Sequence, residues 1–155
     1  MSSTRPPSAN GRGPSPLDGT AGPIQPAIRA LMMPKETNAV GTIFGGVILS
    51  YIDLAGAIEA RRHASGRIVT ASIREVSFHA PVFVGDLISL YTRTLRCGTT
   101  SITVKVTVEV ERQQVLGERS KVTEAELVFV HIDPSGQPIP LDPCEKRDPR
   151  RPVID

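Results

Sequence analysis

Tryptophan is absent from the 155-residue chain, and aromatic residues of all kinds make up only 4% of it. So sparse a set provides no platform for stacking successive bases, as single-strand nucleic-acid binders do. A large excess of one charge is lacking too. The formal net charge of +2 argues against a dedicated nucleic-acid binder and leaves room for a phosphorylated ligand. The two cysteines, Cys97 and Cys144, form neither a disulfide framework nor a metal-spaced set. His63, His79 and His131 share no ligand spacing, so no metal site is expected. No apolar signal run opens the chain, which makes a cytoplasmic, reducing setting the expectation.

Proline and glycine are plentiful, and unevenly placed. Residues 1–26 are rich in Pro, Gly and Ser, bury little apolar surface, and are expected to form a disordered tail that is dispensable. Residues 141–155 mix charges with Pro143, Pro149 and Pro152 and read as a second tail. One compact domain is expected over 27–140.

That domain is organised around Gly41-Thr42-Ile43-Phe44-Gly45-Gly46 and the apolar run that follows, Val47 to Ala64. The run is too long for an ordinary strand and is rich in helix formers, so a central helix from Gly46 to Ala64 is expected. Asp53 interrupts it, and Glu59, Arg61 and Arg62 follow, which excludes a membrane span. Apolar residues occur nearly all round the helix, so other elements should enclose it. Within this run Asp53 is anomalous, because a buried carboxylate costs several kcal/mol unless paired or hydrogen-bonded. It is either a general base or nucleophile, or an acid held at a helix seam or subunit contact. Gly45-Gly46 lets a group approach the first helical turn, where free N–H groups can bind an anion or a developing oxyanion. Close helix–sheet packing explains the same glycines equally simply. Asn38, in the loop before them, either stabilises a turn or holds a carbonyl or a water, and the turn is the simpler role.

Strands are expected at Ile28 to Met33, Arg67 to Phe78, Leu87 to Arg96, Ile102 to Glu111 and Lys121 to Ile132. The alternation of Ile102, Val104, Val106, Val108 and Val110 with polar partners is the clearest of these patterns. The order is strand, long helix, then four strands in a meander. Short turns imply an antiparallel sheet, wrapped around the single helix. So few layers leave exposed edges, which a second copy would cover. Arg93, Arg96, Arg119 and Lys121 lie on or near strand ends. Any one of them is more simply part of a solvated face, but together a few could meet phosphates.

These pieces resemble the hotdog-fold acyl-CoA thioesterases, small bacterial acyl-CoA hydrolases related to the cytosolic hydrolases of animals. The matching stretches are Pro34-Lys35-Glu36-Thr37-Asn38, Gly41 to Gly46, Tyr51-Ile52-Asp53, Ser77 to Val82, Val84-Gly85-Asp86, Gly98 to Ser101 and Lys121 to Ala125. The resemblance implies an α+β hotdog fold, a homodimer with a continuous sheet, and often a trimer of dimers. It implies hydrolysis of acyl-CoA to a free fatty acid and CoA, with CoA as part of substrate and product and no other cofactor. It matches Asp53 to the catalytic acid and Asn38 to the active-site amide, the two coming from different subunits or halves in the family, and Gly45 and Gly46 to the helix start. Two other readings keep the fold: a non-catalytic acyl-CoA binding protein, and a hydroxyacyl thioester dehydratase. The intact Asn38 and Asp53 stand against the first. The second usually needs a histidine–acid pair, which the Gly-Gly and Asp53 context does not resemble.

Overall fold

The structure, a computed structural model, describes residues 24–113 and 117–141. The two expected tails therefore lie outside the described residues, except for Ile24, Gln25, Pro26 and Leu141. The elements are β1 (Ile28–Leu31), α1 (Gly45–Ala60), β2 (Arg67–Phe78), β3 (Leu87–Cys97), β4 (Ser101–Glu111) and β5 (Arg119–Ile132). Short 3-10 turns occupy Pro34–Glu36 and Arg61–His63. The helix is thus shorter than expected: its last turn tightens at Arg61, and Ala64-Ser65-Gly66 leads straight into β2. Among the described residues, no helix is long and apolar enough to cross a membrane.

Among the described residues, five strands form one antiparallel sheet in the order β1-β3-β4-β5-β2. The four-strand meander is corrected here. Only β3, β4 and β5 follow one another in space; β2 pairs with β5 at the far edge. The eight residues 79–86 carry the chain back across three strand spacings, about 14 Å. Their extended reach of about 27 Å is ample for this. β2 also departs from regular alternation, with register shifts between Thr70 and Ser72 and between Arg74 and Ser77. Glu75, within the second shift, takes a positive φ of 52°, as bulged strands permit.

The sheet curves around α1, giving the α+β hotdog arrangement. Ile102, Val104, Val106, Val108 and Val110 are fully buried, as are Leu127 and Leu90, and Ile48 and Ile52 of α1 pack into the same core. Burying each such side chain is worth roughly 1.5–3 kcal/mol. The rotation of the helix is fixed by a polar contact at its far end. Glu59 accepts hydrogen bonds from the Thr94 hydroxyl at 2.9 Å and the Thr92 hydroxyl at 3.4 Å, both on β3. Six residues separate Asp53 from Glu59, which places them about 120° apart around the helix. With Glu59 tied to β3, Asp53 is turned toward β2.

The start of α1 is set by a relay of loop contacts. Arg112 donates to the buried Asp86 carboxylate and to the Pro81 carbonyl, and its guanidinium lies over the Phe83 ring. Asp86 also accepts the Phe83 N–H at 2.9 Å, and its carbonyl accepts the Met32 N–H. The loop so fixed offers the Val82 carbonyl to the Ile43 N–H at 2.7 Å, one residue before the helix cap Phe44. His131, which carries no distinct signal in the sequence, is buried and donates from Nδ1 to the Pro140 carbonyl at 2.9 Å. It fastens the segment after β5 to the sheet. Replacing Asp86 with Ala should leave the Arg112 guanidinium and the Phe83 N–H without their acceptor. Loss of one partner of such a pair costs roughly 2–4 kcal/mol. Urea unfolding of D86A should show a lower midpoint with an unchanged slope; an unchanged midpoint would show that Arg112 and the loop hold without it.

Candidate active site

Asp53 lies in the third turn of α1, half-buried rather than enclosed. The expected apolar enclosure is incomplete because β2 is an edge strand and the flank beside it is open. Leu54, next to Asp53, is 54% exposed, and Ile58, Val69, Ile73 and Phe78 are exposed along the same helix and edge strand. Asp53 does have a partner. The Thr70 hydroxyl of β2 donates to Asp53 Oδ1 at 2.6 Å. This bond occupies one carboxylate oxygen and orients the group, leaving Oδ2 for a second contact. Thr70 carries no signal in the sequence beyond its place in a strand, and its partner is 17 residues away.

Asn38 is placed by its own turn. Its Oδ1 accepts the N–H groups of Val40 at 3.0 Å and Thr42 at 3.1 Å, and its Nδ2 donates to the Thr42 hydroxyl at 2.8 Å. The turn role expected for this residue is therefore present. The Nδ2 group has two hydrogens, so one donor remains beyond that bond. The amide is held rigidly, with its free donor fixed in direction by the other three bonds.

Gly45 and Gly46 are the first two residues of α1, where N–H groups have no acceptor within the helix. A Cβ at Gly46 would stand 2.5 Å from Cε1 of Phe44, so the ring lies close over this turn. At Gly45 the nearest atom to such a Cβ would be Cζ of Phe78, at an ordinary 3.5 Å. Gly46 and Asp53 are seven residues apart, about 10 Å along the axis. One small carbonyl cannot touch both groups of a single protomer.

The four basic residues are not brought together. They lie along the sheet, with Arg96 opposite Thr103 at one end and Arg119 opposite Glu111 at the other, eight residues apart on β4 and so about 26 Å. Arg119 pairs with Glu111 at 3.7 Å and Lys121 with Glu124 at 3.0 Å. The Glu124 carboxyl is held below its usual range, first by Lys121 and then by Lys105. Arg93 stands opposite Lys105 in the β3–β4 ladder. His79 contributes a backbone bond to the Val122 carbonyl. Among the described residues no group of His, Cys, Asp or Glu is arranged to hold a metal ion.

An antiparallel sheet curled around one helix, with a carboxylate at the helix flank and glycine amides at its start, defines the hotdog class. Comparisons place the chain within that class. The Thioesterase superfamily pattern matches residues 40–116. The acyl-CoA thioester hydrolase YciA of Salmonella typhimurium is 44% identical over 116 residues, covering 74% of this chain and 87% of the relative. The crystal structure of a hexameric hotdog-fold thioesterase of Campylobacter jejuni is 42% identical with a TM-score of 0.72, covering 76% of this chain and 90% of the other. That of a hexameric thioesterase from Yersinia pestis is 37% identical with a TM-score of 0.72, covering 79% and 99%. The chain belongs to the hotdog-fold acyl-CoA thioesterase family and is closely related to its YciA-type hydrolases.

The Thr70 contact yields a prediction. Thr70→Val removes the hydroxyl and keeps the shape of the side chain. A hydrogen bond that orients the carboxylate should be worth about five- to tenfold in kcat, with KM little changed. Thr70→Ser should restore most of the rate. Steady-state hydrolysis by both variants is the measurement, and equal kcat for T70V and wild type would remove Thr70 from the site.

Proposed function

We propose that this protein hydrolyses acyl-CoA thioesters to a carboxylic acid and CoA, with Asp53 as general base. The observation that carries the reading is the Asp53 carboxylate, held by Thr70 on the open flank of the central helix. In the proposed step, Asp53 takes a proton from a water whose oxygen attacks the thioester carbonyl carbon. Amides at the start of α1, Gly45 and Gly46, receive the negative charge that develops on the carbonyl oxygen. Collapse of the tetrahedral intermediate breaks the carbon–sulfur bond, and the proton on Asp53 passes to the departing CoA sulfur. Direct attack by Asp53 to form an anhydride is the alternative route to the same products.

Asn38 would orient the water or the carbonyl through its remaining amide donor. The 10 Å offset along the helix favours a site in which Asp53 comes from one protomer and the glycine amides and Asn38 from its partner. The open apolar flank of α1 and the unpaired edge of β2 support the same reading, because a second copy would cover both. We therefore infer a homodimer as the minimum unit. A trimer of dimers is the fuller proposal, supported by the hexameric thioesterases of Campylobacter jejuni and Yersinia pestis. No nucleic-acid partner is part of this reading. A cytoplasmic setting is, since CoA thioesters are the proposed substrate.

Asp53→Asn keeps size and most hydrogen-bonding capacity but removes both base and nucleophile. General-base participation is typically worth 10²–10⁴-fold, so kcat should fall at least about a hundredfold. Assembly and CoA binding should be preserved. If Asp53 served only as an anchor, D53N would instead alter melting or sedimentation and leave turnover near that of wild type. Kinetics and sedimentation on one preparation separate the two.

A further inference from the structure

The hydroxyl and carboxylate side chains of α1 are those of Ser50, Tyr51, Asp53 and Glu59. Glu59 is tied to β3, Asp53 is bonded to Thr70, and Tyr51 packs against the core. That leaves Ser50, exposed in mid-helix on the open flank, one turn before the exposed Leu54. Nothing in the chemistry described so far uses it. We propose that Ser50 is a further catalytic residue, whose Oγ accepts the second hydrogen of the water that Asp53 deprotonates. This rests on the hydrolase reading above and completes the hydrogen bonding of its nucleophile.

Three observations carry it. First, Ser50 stands on the reactive side of the helix. It follows Gly46 by four residues and precedes Asp53 by three, so the three share a sector of about 60° around the axis. Along the axis it lies about 6 Å from Gly46 and about 4.5 Å from Asp53. It therefore occupies the gap between the helix-start amides and the carboxylate.

Second, its hydroxyl is an oriented acceptor. The Ser50 O–H donates to the Val47 carbonyl at 2.7 Å. A serine hydroxyl has one hydrogen and two lone pairs. The hydrogen is committed to the helix, so what Ser50 offers to the flank is a lone pair. A hydroxyl free to rotate could donate to the water instead and turn it the wrong way.

Third, the spacing suits one water. Residues three apart on a helix have Cβ atoms about 5–6 Å apart. Helical side chains lean toward the amino end, so the Asp53 carboxylate leans over the turn that carries Ser50. Thr70 occupies Oδ1 of Asp53, which leaves Oδ2 for the water. A water donating to two acceptors at about 2.8 Å each spans roughly 4.5 Å between them. Held by both hydrogens, it keeps both lone pairs free. One accepts the remaining Asn38 donor, and the other attacks the thioester carbon. A water held by Asp53 alone would rotate about that single bond and point its lone pair at the carbon only part of the time.

The proton count closes. As the carbon–oxygen bond forms, one hydrogen passes to Asp53 Oδ2. The other stays on the oxygen, bonded to Ser50, and becomes the hydroxyl hydrogen of the acid product. Ser50 itself neither gains nor loses a proton.

The test is Ser50→Ala. Its kcat for acyl-CoA hydrolysis should fall about five- to tenfold with KM little changed, as for one lost hydrogen bond to the reacting water. Its melting temperature should stay level or rise, because Ala is the better helix former and serine bonding back to the helix is slightly destabilising. Ser50→Thr keeps the hydroxyl and should restore most of the rate. Added to D53N, S50A should lower the single-turnover rate no further, since the water is then no longer deprotonated. A product ratio gives a readout that a structural role would not move. Methanol has one hydroxyl hydrogen, which Asp53 takes, and none for Ser50. In water–methanol mixtures S50A should therefore shift the products from acid toward methyl ester by about the same five- to tenfold factor. That ratio is independent of the fraction of protein folded. An S50A protein with kcat within about twofold of wild type, or one whose lower rate comes with a lower melting temperature and an unshifted ratio, would overturn the assignment. If no methyl ester forms with either protein, kcat, melting temperature and the S50T rescue decide it. Wild-type protein that hydrolyses no acyl-CoA would instead sink the hydrolase reading, and Ser50's role with it.

Discussion

A single helix that is apolar nearly all round cannot be covered by one five-stranded sheet. The sheet closes over Ile48, Ile52 and Ala55 and leaves Leu54 and Ile58 uncovered beside the edge strand β2. Much else depends on that unfinished flank. It leaves Asp53 half-buried, within reach of both Thr70 and an incoming ligand, instead of sealed in the core. Among the described residues it also leaves β2 with a free edge along twelve residues, long enough that an unpaired state invites association. The same deficit of coverage that favours a dimer thus puts the carboxylate on the surface where a second copy would complete a shared site.

The remaining polar contacts set the position of the helix in that open frame. Glu59 ties one end of α1 to β3, and the Asp86–Arg112 loop sets the other through Val82 and Ile43. Between these anchors the helix has little freedom to rotate or slide, so the side of the helix that Asp53 occupies is determined. For the proposed chemistry this matters, because a general base must stand within hydrogen-bond reach of the water it activates. The Asn38 turn does the same for the other side of the reaction, by spending three hydrogen bonds of one side chain to aim its last donor.

Much of this was legible in the sequence, and the exceptions have physical causes. The β4 alternation was plain because every second residue is a β-branched core side chain. The helix was visible from length and composition, and the Asn38 turn from its neighbouring glycine. The placement of β2 was not, because strand order depends on non-local pairing with β5, and local periodicity says nothing of which edge a strand joins. Two bulges further blurred its alternation around Ala71 and Glu75. Thr70 was invisible as a site residue because threonine is an ordinary strand former, and only the fold brings it to Asp53. The basic residues of the outer face looked available because their partners, Glu111 and Glu124, oppose them only once the register and turns are set.

The central claim is that Asp53 and Asn38 act on one thioester from different protomers. It is tested most directly by co-expressing an Asn38→Ala chain with an Asp53→Asn chain and isolating the mixed assemblies. Each parent should be nearly inactive. In a two-fold dimer built from one chain of each kind, one of the two sites recovers both intact groups, so isolated mixed dimers should restore about half of wild-type turnover. Mixed assemblies no more active than the parents would contradict the account, because groups that act within one protomer cannot be rescued by exchange.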